Sequence, residues 1–456
     1  MASVGAVEGN AGKVTRQIGP VTATSIVVAN MIGAGIFTTT GFVAAKVPGG
    51  GWVFACWLFG GFIAIAGALC YAELSTRMPD VGGEYVYLKK LYHPALGFLT
   101  GWTSLVAGFS APIAASALGF SGYVFSGLQS QVPAISDGEL LFIKKASAVV
   151  IILALTCVHY LGIRLGAAVQ NILTCIKIAI VLGLASFGLM LVRWSGSALA
   201  FGGSDAQGGY AFGTAMMFVM FAYSGWNASA YIAGEMKDPR RNLPLSLLAG
   251  TGIVIALYLA VNLFILQSVP FQQLQGMEEV VKEASVRTFG SGIGNLLGLL
   301  TGLALLSSLS AYIILGPRVY YAMAQDRLFL PIAARVHPRY GVPGISILIQ
   351  GAIAIFMVIT GTLEQITYYV GFALGVFPWL AIAGIFLARK KGIGDTSAVK
   401  VWGYPVVPVF YLISSLALMC VAFAGRPLAS TIALITIALG VPCYFLWVKG
   451  MKPDVK

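Results

Sequence analysis

The sequence predicts an all-α membrane protein with twelve transmembrane helices. Three observations carry that prediction. The 456 residues are 58% hydrophobic and 10% charged, with a mean hydropathy of +0.88, whereas soluble domains carry about 25% charged residues. Eleven stretches contain no Asp, Glu, Lys or Arg: 17–45, 47–72, 91–136, 146–163, 206–234, 242–277, 288–317, 340–363, 365–388, 401–425 and 427–448. A twelfth, 165–192, contains only Lys177. Each is long enough for one helix of about 20 residues. Lipid satisfies no backbone polar group, so spanning segments are helical or closed barrels. Nothing alternates as barrel strands would.

Taken in order, span 1 carries Met31-Ile-Gly-Ala-Gly-Ile-Phe37, and span 2 ends at Glu73. Span 3 shares its 46-residue run with a polar loop before Asp137. Span 5 holds Lys177 within two residues of its midpoint. Span 6 carries Phe221-Ala-Tyr-Ser-Gly-Trp-Asn227, span 8 holds Ser307 and Ser308, and span 10 begins beside Glu364. An N-terminal carboxylate such as Glu364 suits the helix dipole. No acid lies near the middle of any span.

Basic residues set the orientation. With the N-terminus inside, 20 of the 28 Lys and Arg residues fall in cytoplasmic segments and 7 outside, leaving Lys177 in the membrane. Both termini are therefore expected in the cytoplasm, in the plasma (cell) membrane. The net charge of +12 reads as an insertion signal, not a nucleic-acid footprint. The start is polar and the first apolar run is too long for a cleaved leader, so no processing is expected. All six Cys lie in apolar runs, so no disulfide framework is expected. No CxxC exists and the three His are scattered, so no metal site or cofactor is expected. Asn227-Ala-Ser229 lies within a span and is not expected to be glycosylated. No P-loop, HExxH or GxSxG motif is present, and no enzyme activity is expected.

Interrupted helices give membrane transporters free amides and carbonyls as ligands, and glycine permits the interruption. Gly33 and Gly35 in span 1, and Gly225 in span 6, occupy matching places. Each lies in the first span of a five-span set, entered from opposite sides. That is an inverted repeat: a tail at 1–17, repeat 1 at 18–193, repeat 2 at 206–391, two further spans within 401–448, and a tail at 449–456. The same glycines would also serve close packing without a break.

Met31–Phe37 resembles the GxGIF signature of the amino acid–polyamine–organocation superfamily. Cys70-Tyr-Ala-Glu-Leu-Ser-Thr-Arg-Met-Pro-Asp-Val-Gly-Gly-Glu-Tyr85 resembles its second signature. Phe221–Asn227 with Gly234-Glu235 and Asp238–Pro244 resembles its sixth helix and the loop after it, and Arg318 through Arg339 resembles the loop after its eighth. The nearest resemblance is to the L-type amino acid transporter branch and its bacterial relatives. It implies a LeuT-like fold with broken helices 1 and 6, and secondary active transport of amino acids by alternating access. The loop 128–145 has no Cys, whereas animal members use one there to bind a glycoprotein subunit. A disulfide-linked partner is therefore not expected.

The resemblance implies an amino acid lying across both breaks. A helix N-terminus suits its carboxylate, which gives Ala34, Gly35 and Ile36 that role. Helix-end carbonyls near Met31, Ile32, Phe221, Ala222 and Ser224 suit the ammonium. Phe221 is a candidate lid or an ordinary packing residue. Asn227 is a candidate polar contact or a helix-to-helix hydrogen bond. A midplane Lys is costly. Lys177 resembles the helix 5 lysine that takes the place of a sodium ion between helix 1 carbonyls and the helix 8 hydroxyls, here Ser307 and Ser308. Lys177 would otherwise only hold the bundle together, and the serines would only cap backbone. Glu73 and Glu235 read as ion-paired anchors beside Arg77 and Lys237. These features favour sodium-independent transport of neutral L-amino acids, by exchange or proton symport. The alternatives are a polyamine or cationic amino acid antiporter and, in another class, a non-transporting nutrient sensor.

Overall fold

The computed structural model describes residues 18–80, 82–126, 132, 135–202 and 210–449. Their architecture is helical, and their one extended pairing is the isolated bridge between Ile18 and Met236. The principal helices are α1 (Pro20–Met31), α2 (Ala34–Ala44), α3 (Gly50–Arg77), α4 (Glu84–Leu91), α5 (Pro94–Phe125), α6 (Asp137–Tyr160), α7 (Ile163–Gly183), α8 (Tyr210–Tyr223), α9 (Pro239–Ser268), α10 (Val280–Gln325), α11 (Gly344–Thr360), α12 (Leu363–Lys391), α13 (Val406–Gly425) and α14 (Pro427–Lys449).

Among the described residues nine helices are long and apolar enough to cross a membrane. A tenth crossing results if α1 and α2, which meet at a 41° bend, form one span. α11 has 17 residues and α8 has 14. α6 starts nine residues ahead of the uncharged run at 146, taking in Asp137, Glu139, Lys144 and Lys145. A capping box explains the early start: the Ser136 hydroxyl accepts the Glu139 N–H, and Glu139 accepts the Ser136 N–H.

Both expected interruptions are present. α1 stops where Ile32 (φ −70°, ψ 91°) and Gly33 (φ −126°, ψ −158°) leave helical geometry, and α2 resumes at Ala34. α8 stops at Tyr223, and the chain turns through Gly225 (φ +95°) into a 3-10 segment, Ala228–Glu235. A φ of that sign favours glycine. The site has no room for a side chain either, since a Cβ on Gly225 would lie 3.0 Å from the Asn30 carbonyl carbon.

The two interrupted helices form the core together with α3 and α9. Trp57, Tyr223 and Tyr258 pack edge-on or tilted with ring centroids 5.2–5.8 Å apart, within the range favoured by ring quadrupoles. α5 carries a π-helical stretch, Ser104–Ser110, just ahead of Pro112. Proline supplies no N–H and crowds the carbonyl four residues back, so the helix widens there.

One end of the bundle is closed by charge. Glu73 is fully buried and accepts hydrogen bonds from Arg77 Nε (2.9 Å), Arg389 Nε (2.9 Å), Arg389 Nη2 (2.5 Å) and the Val401 N–H (2.8 Å). Arg240 pairs with Asp395, and Lys89 with Asp326, at the same end. The expected pairing of Glu235 with Lys237 is replaced by backbone bonds. The Glu235 carbonyl accepts the Ile18 N–H and the Ile18 carbonyl accepts the Lys237 N–H, and Glu235 makes no ion pair among the described residues. Residues 1–17 and 450–456, and most of the loop at 127–134, lie outside the described residues.

Candidate functional site

The two breaks meet at the centre of the bundle. A Cβ on Gly35 would lie 2.3 Å from Ala222 Cα, and one on Gly33 would lie 3.7 Å from both Ser308 Oγ and Tyr312 Oη. The Tyr258 hydroxyl, rising from α9, donates to the Met31 carbonyl at one break and to the Ala222 carbonyl (3.1 Å) at the other. One phenol thus ties the two chain ends together.

A helix leaves its first four N–H and last four C=O groups unpaired. At the end of α1 the carbonyls are taken up from three directions. Ala29 O accepts from Lys177 Nζ (3.0 Å), Met31 O from Tyr258, and Ile32 O from Ser308 Oγ (3.3 Å). At the end of α8, Phe221 O accepts from the Ser224 N–H (3.1 Å) and Oγ (2.7 Å). The start of α2 differs. No side chain caps it among the described residues, and the positive end of its dipole is buried at Ala34, Gly35 and Ile36.

Lys177 is fully buried and lies between α1 and α10, with Nζ also 3.4 Å from Ser308 Oγ. Ser307 Oγ lies 3.1 Å from Thr174 Oγ1 one turn away on α7. No carboxylate pairs with Lys177 among the described residues.

A cavity of about 640 Å³ runs from the breaks toward the charged end, within the size range of small-molecule sites. Ser224, Gly225 and Asn227 line it from the α8 break, and Asn30 from α1. Ser104 and Phe109 of the widened α5 and Tyr312 of α10 face them. Tyr85 and Asp326 stand at its charged end. Among the expected site residues, Ser224 and Asn227 thus face the cavity. Ile32, Gly33, Ala34, Gly35, Ile36, Phe221 and Ala222 lie in the packed layer behind it.

Sequence reading missed two residues. Tyr258 is a mid-helix tyrosine, an uncommon choice in an apolar run and the one available signal. Glu84, to which the sequence reading gave no role, is the other, and its side chain is buried. It sits outside every apolar run, yet the turn at Gly82 (φ +124°) and Gly83 (φ +51°), packed against Tyr231, folds it inward. There Glu84 Oε1 accepts from Asn227 Nδ2 at 2.6 Å and from the Tyr71 hydroxyl at 2.8 Å.

The chain resembles characterised proteins along nearly its whole length. It is 28% identical over 442 residues to the Bacillus subtilis serine/threonine exchanger SteT, covering 96% of this chain and 97% of that one. It is 28% identical over 443 residues to the human b(0,+)-type amino acid transporter 1, covering 95% and 88%. It is also 28% identical over 446 residues to the human large neutral amino acids transporter small subunit 2, covering 95% and 80%. The family model for amino acid permeases matches residues 18–443, and the chain belongs to that family.

Proposed function

We propose that this protein carries neutral L-amino acids across the plasma membrane by alternating access, without sodium, as an exchanger or proton symporter. The observation that carries the reading is the meeting of two helix breaks at the inner end of a cavity, with the uncapped start of α2 buried beside them. A substrate carboxylate suits the Ala34, Gly35 and Ile36 amides. Its ammonium suits the carbonyls near Met31, Ile32, Phe221, Ala222 and Ser224, with Asn227 a further polar contact and Phe221 a lid. In this reading α8 with its 3-10 extension and the short α11 also cross the membrane. With α1 and α2 counted as one span, they make twelve, ten of them in two inverted repeats of the LeuT-like fold, with both termini in the cytoplasm.

Lys177 takes the place of a coupling cation. Its ammonium joins α7 to the inner half of helix 1 and, with Ser307 and Ser308 near it, occupies the oxygens a sodium ion would need. The absence of Cys from the loop 128–145 speaks against a disulfide-linked subunit.

One observation favours a second reading, a cationic amino acid or polyamine as substrate. Among the described residues the cavity lining contains Glu84, Glu235 and Asp326 and no Lys or Arg. A thermal-shift screen of the twenty amino acids and putrescine on purified protein, with sodium or choline, separates the two. Stabilisation by neutral amino acids in choline supports the first reading. Stabilisation by arginine or putrescine alone replaces it with the second, and a strict sodium requirement overturns the role of Lys177.

A further inference from the structure

Glu84 has an unusual setting. Its side chain is buried, at the start of α4, a helix of 8 residues that is too short to span a membrane. The Tyr71 hydroxyl of α3 donates to it, and the phenols of Tyr87 of α4 itself, Tyr231 of the 3-10 segment and Tyr411 of α13 lie within electrostatic reach of it. Among the described residues no Lys, Arg or His pairs with it. A buried carboxylate without a cation is costly. Glu73 solves the same problem with two guanidiniums; Glu84 has one amide and one phenol as donors. It also lines the cavity, as do the exposed Gln325 and Asp326, which gives protons from bulk water a path to it.

We propose that Glu84 is a proton-binding site that controls the break after α8 through Asn227. The inference rests on the amino acid transport reading and adds the residue on which transport responds to pH. Ionised, the carboxylate holds Asn227 Nδ2 by a charge-assisted bond and thereby fastens the start of the 3-10 segment to α4. Taking up a proton forms one O–H bond, breaks none, and leaves a neutral acid. The bond to Asn227 then falls to ordinary strength, roughly half. The segment after the break is freed to move relative to α4, as a change of access requires. Burial supports this role by pushing the Glu84 carboxyl up to about 7, while the bonds from Tyr71 and Asn227 hold it from rising further.

The test is exchange of labelled serine and leucine in proteoliposomes, from about pH 5.5 to about pH 8.5. Wild-type exchange should slow at least about threefold from the acid to the alkaline end, the size of a bond lost or halved, with its midpoint near 7. Glu84→Gln, permanently neutral, should exchange at the wild-type acid rate throughout. Tyr71→Phe removes a donor that favours the ionised form, so its midpoint should move to higher pH. A Glu84→Gln profile with the wild-type midpoint overturns the proposal. If that variant does not fold, an unmoved midpoint in Tyr71→Phe overturns it instead. Absence of exchange at every pH in wild type removes the transport reading alone. Proton binding is then read from the pH dependence of the unfolding temperature, and a slope that Glu84→Gln leaves unchanged overturns it.

Discussion

Gly35 faces Ala222 across the two breaks so closely that a Cβ on the glycine would stand 2.3 Å from the alanine Cα. Backbone cannot yield as a flexible side chain does. Gly33, two residues earlier, has 3.7 Å to its nearest neighbours, both side-chain oxygens, and an extended backbone open to any residue. Gly35→Ala should therefore lower the unfolding temperature by overpacking worth about 1–3 kcal/mol, and Gly35→Leu should abolish amino acid binding. Gly33→Ala should fold like wild type. Equal losses in the two alanine variants, measured by thermal unfolding in detergent, would contradict the packing argument.

Tyr258 links the same two breaks by hydrogen bonds instead of by contact. Tyr258→Phe keeps the ring and its packing on Trp57 and Tyr223 but leaves the Met31 and Ala222 carbonyls without that donor. A buried group left unpaired costs about 1–3 kcal/mol. We expect a lower unfolding temperature that saturating amino acid partly restores, since the substrate ammonium can take up the freed carbonyls. A stability equal to wild type would mean that water or rearrangement satisfies them.

The places where the breaks fall were legible in the sequence, because glycine-rich pauses stand at matching places in the first span of each five-span set, where close packing alone would not require them to match. Lys177 was legible too: an ammonium in the middle of an apolar run must find oxygen, and it finds Ala29 and Ser308. The carbonyl partners of Tyr258 were not, because a tyrosine in a helix does not disclose which neighbour its hydroxyl meets. Glu84 was passed over for a related reason. Charge-free runs define spans, so a charged residue is assigned to a loop, while the two positive-φ glycines before it turn it inward. The start of α6 was set too late by the same rule, since its first turns are charged and capped.

Lys177→Ala removes the ammonium that joins α7 to Ala29 and Ser308. Hydrogen bonds from a charged donor are worth about 1.5–3 kcal/mol, so transport should fall by roughly ten- to a hundredfold while protein yield changes much less. Lys177→Arg should not restore it fully, because the planar guanidinium does not fit a point-charge site. Uptake of labelled neutral amino acid into proteoliposomes, with choline in place of sodium, measures this. Normal uptake by Lys177→Ala would remove the residue from the transport cycle.

Glu84 also predicts how stability depends on pH. Its carboxyl stands at about 7 in the folded protein, raised first by burial, against an ordinary value of 4.5. A group whose value is raised on folding contributes its stability below the unfolded value and loses it as pH rises through the folded one. Wild type should thus lose stability between about pH 4.5 and 7, by about 3 kcal/mol at most. Glu84→Gln keeps a neutral side chain that accepts from both Tyr71 and Asn227 and carries no such dependence. The two proteins should unfold at similar temperatures below pH 5, and the variant at the higher temperature above pH 8. Scanning fluorimetry across that range decides it: a variant less stable than wild type at alkaline pH would show that the ionised carboxylate is stabilised by its setting, not merely tolerated.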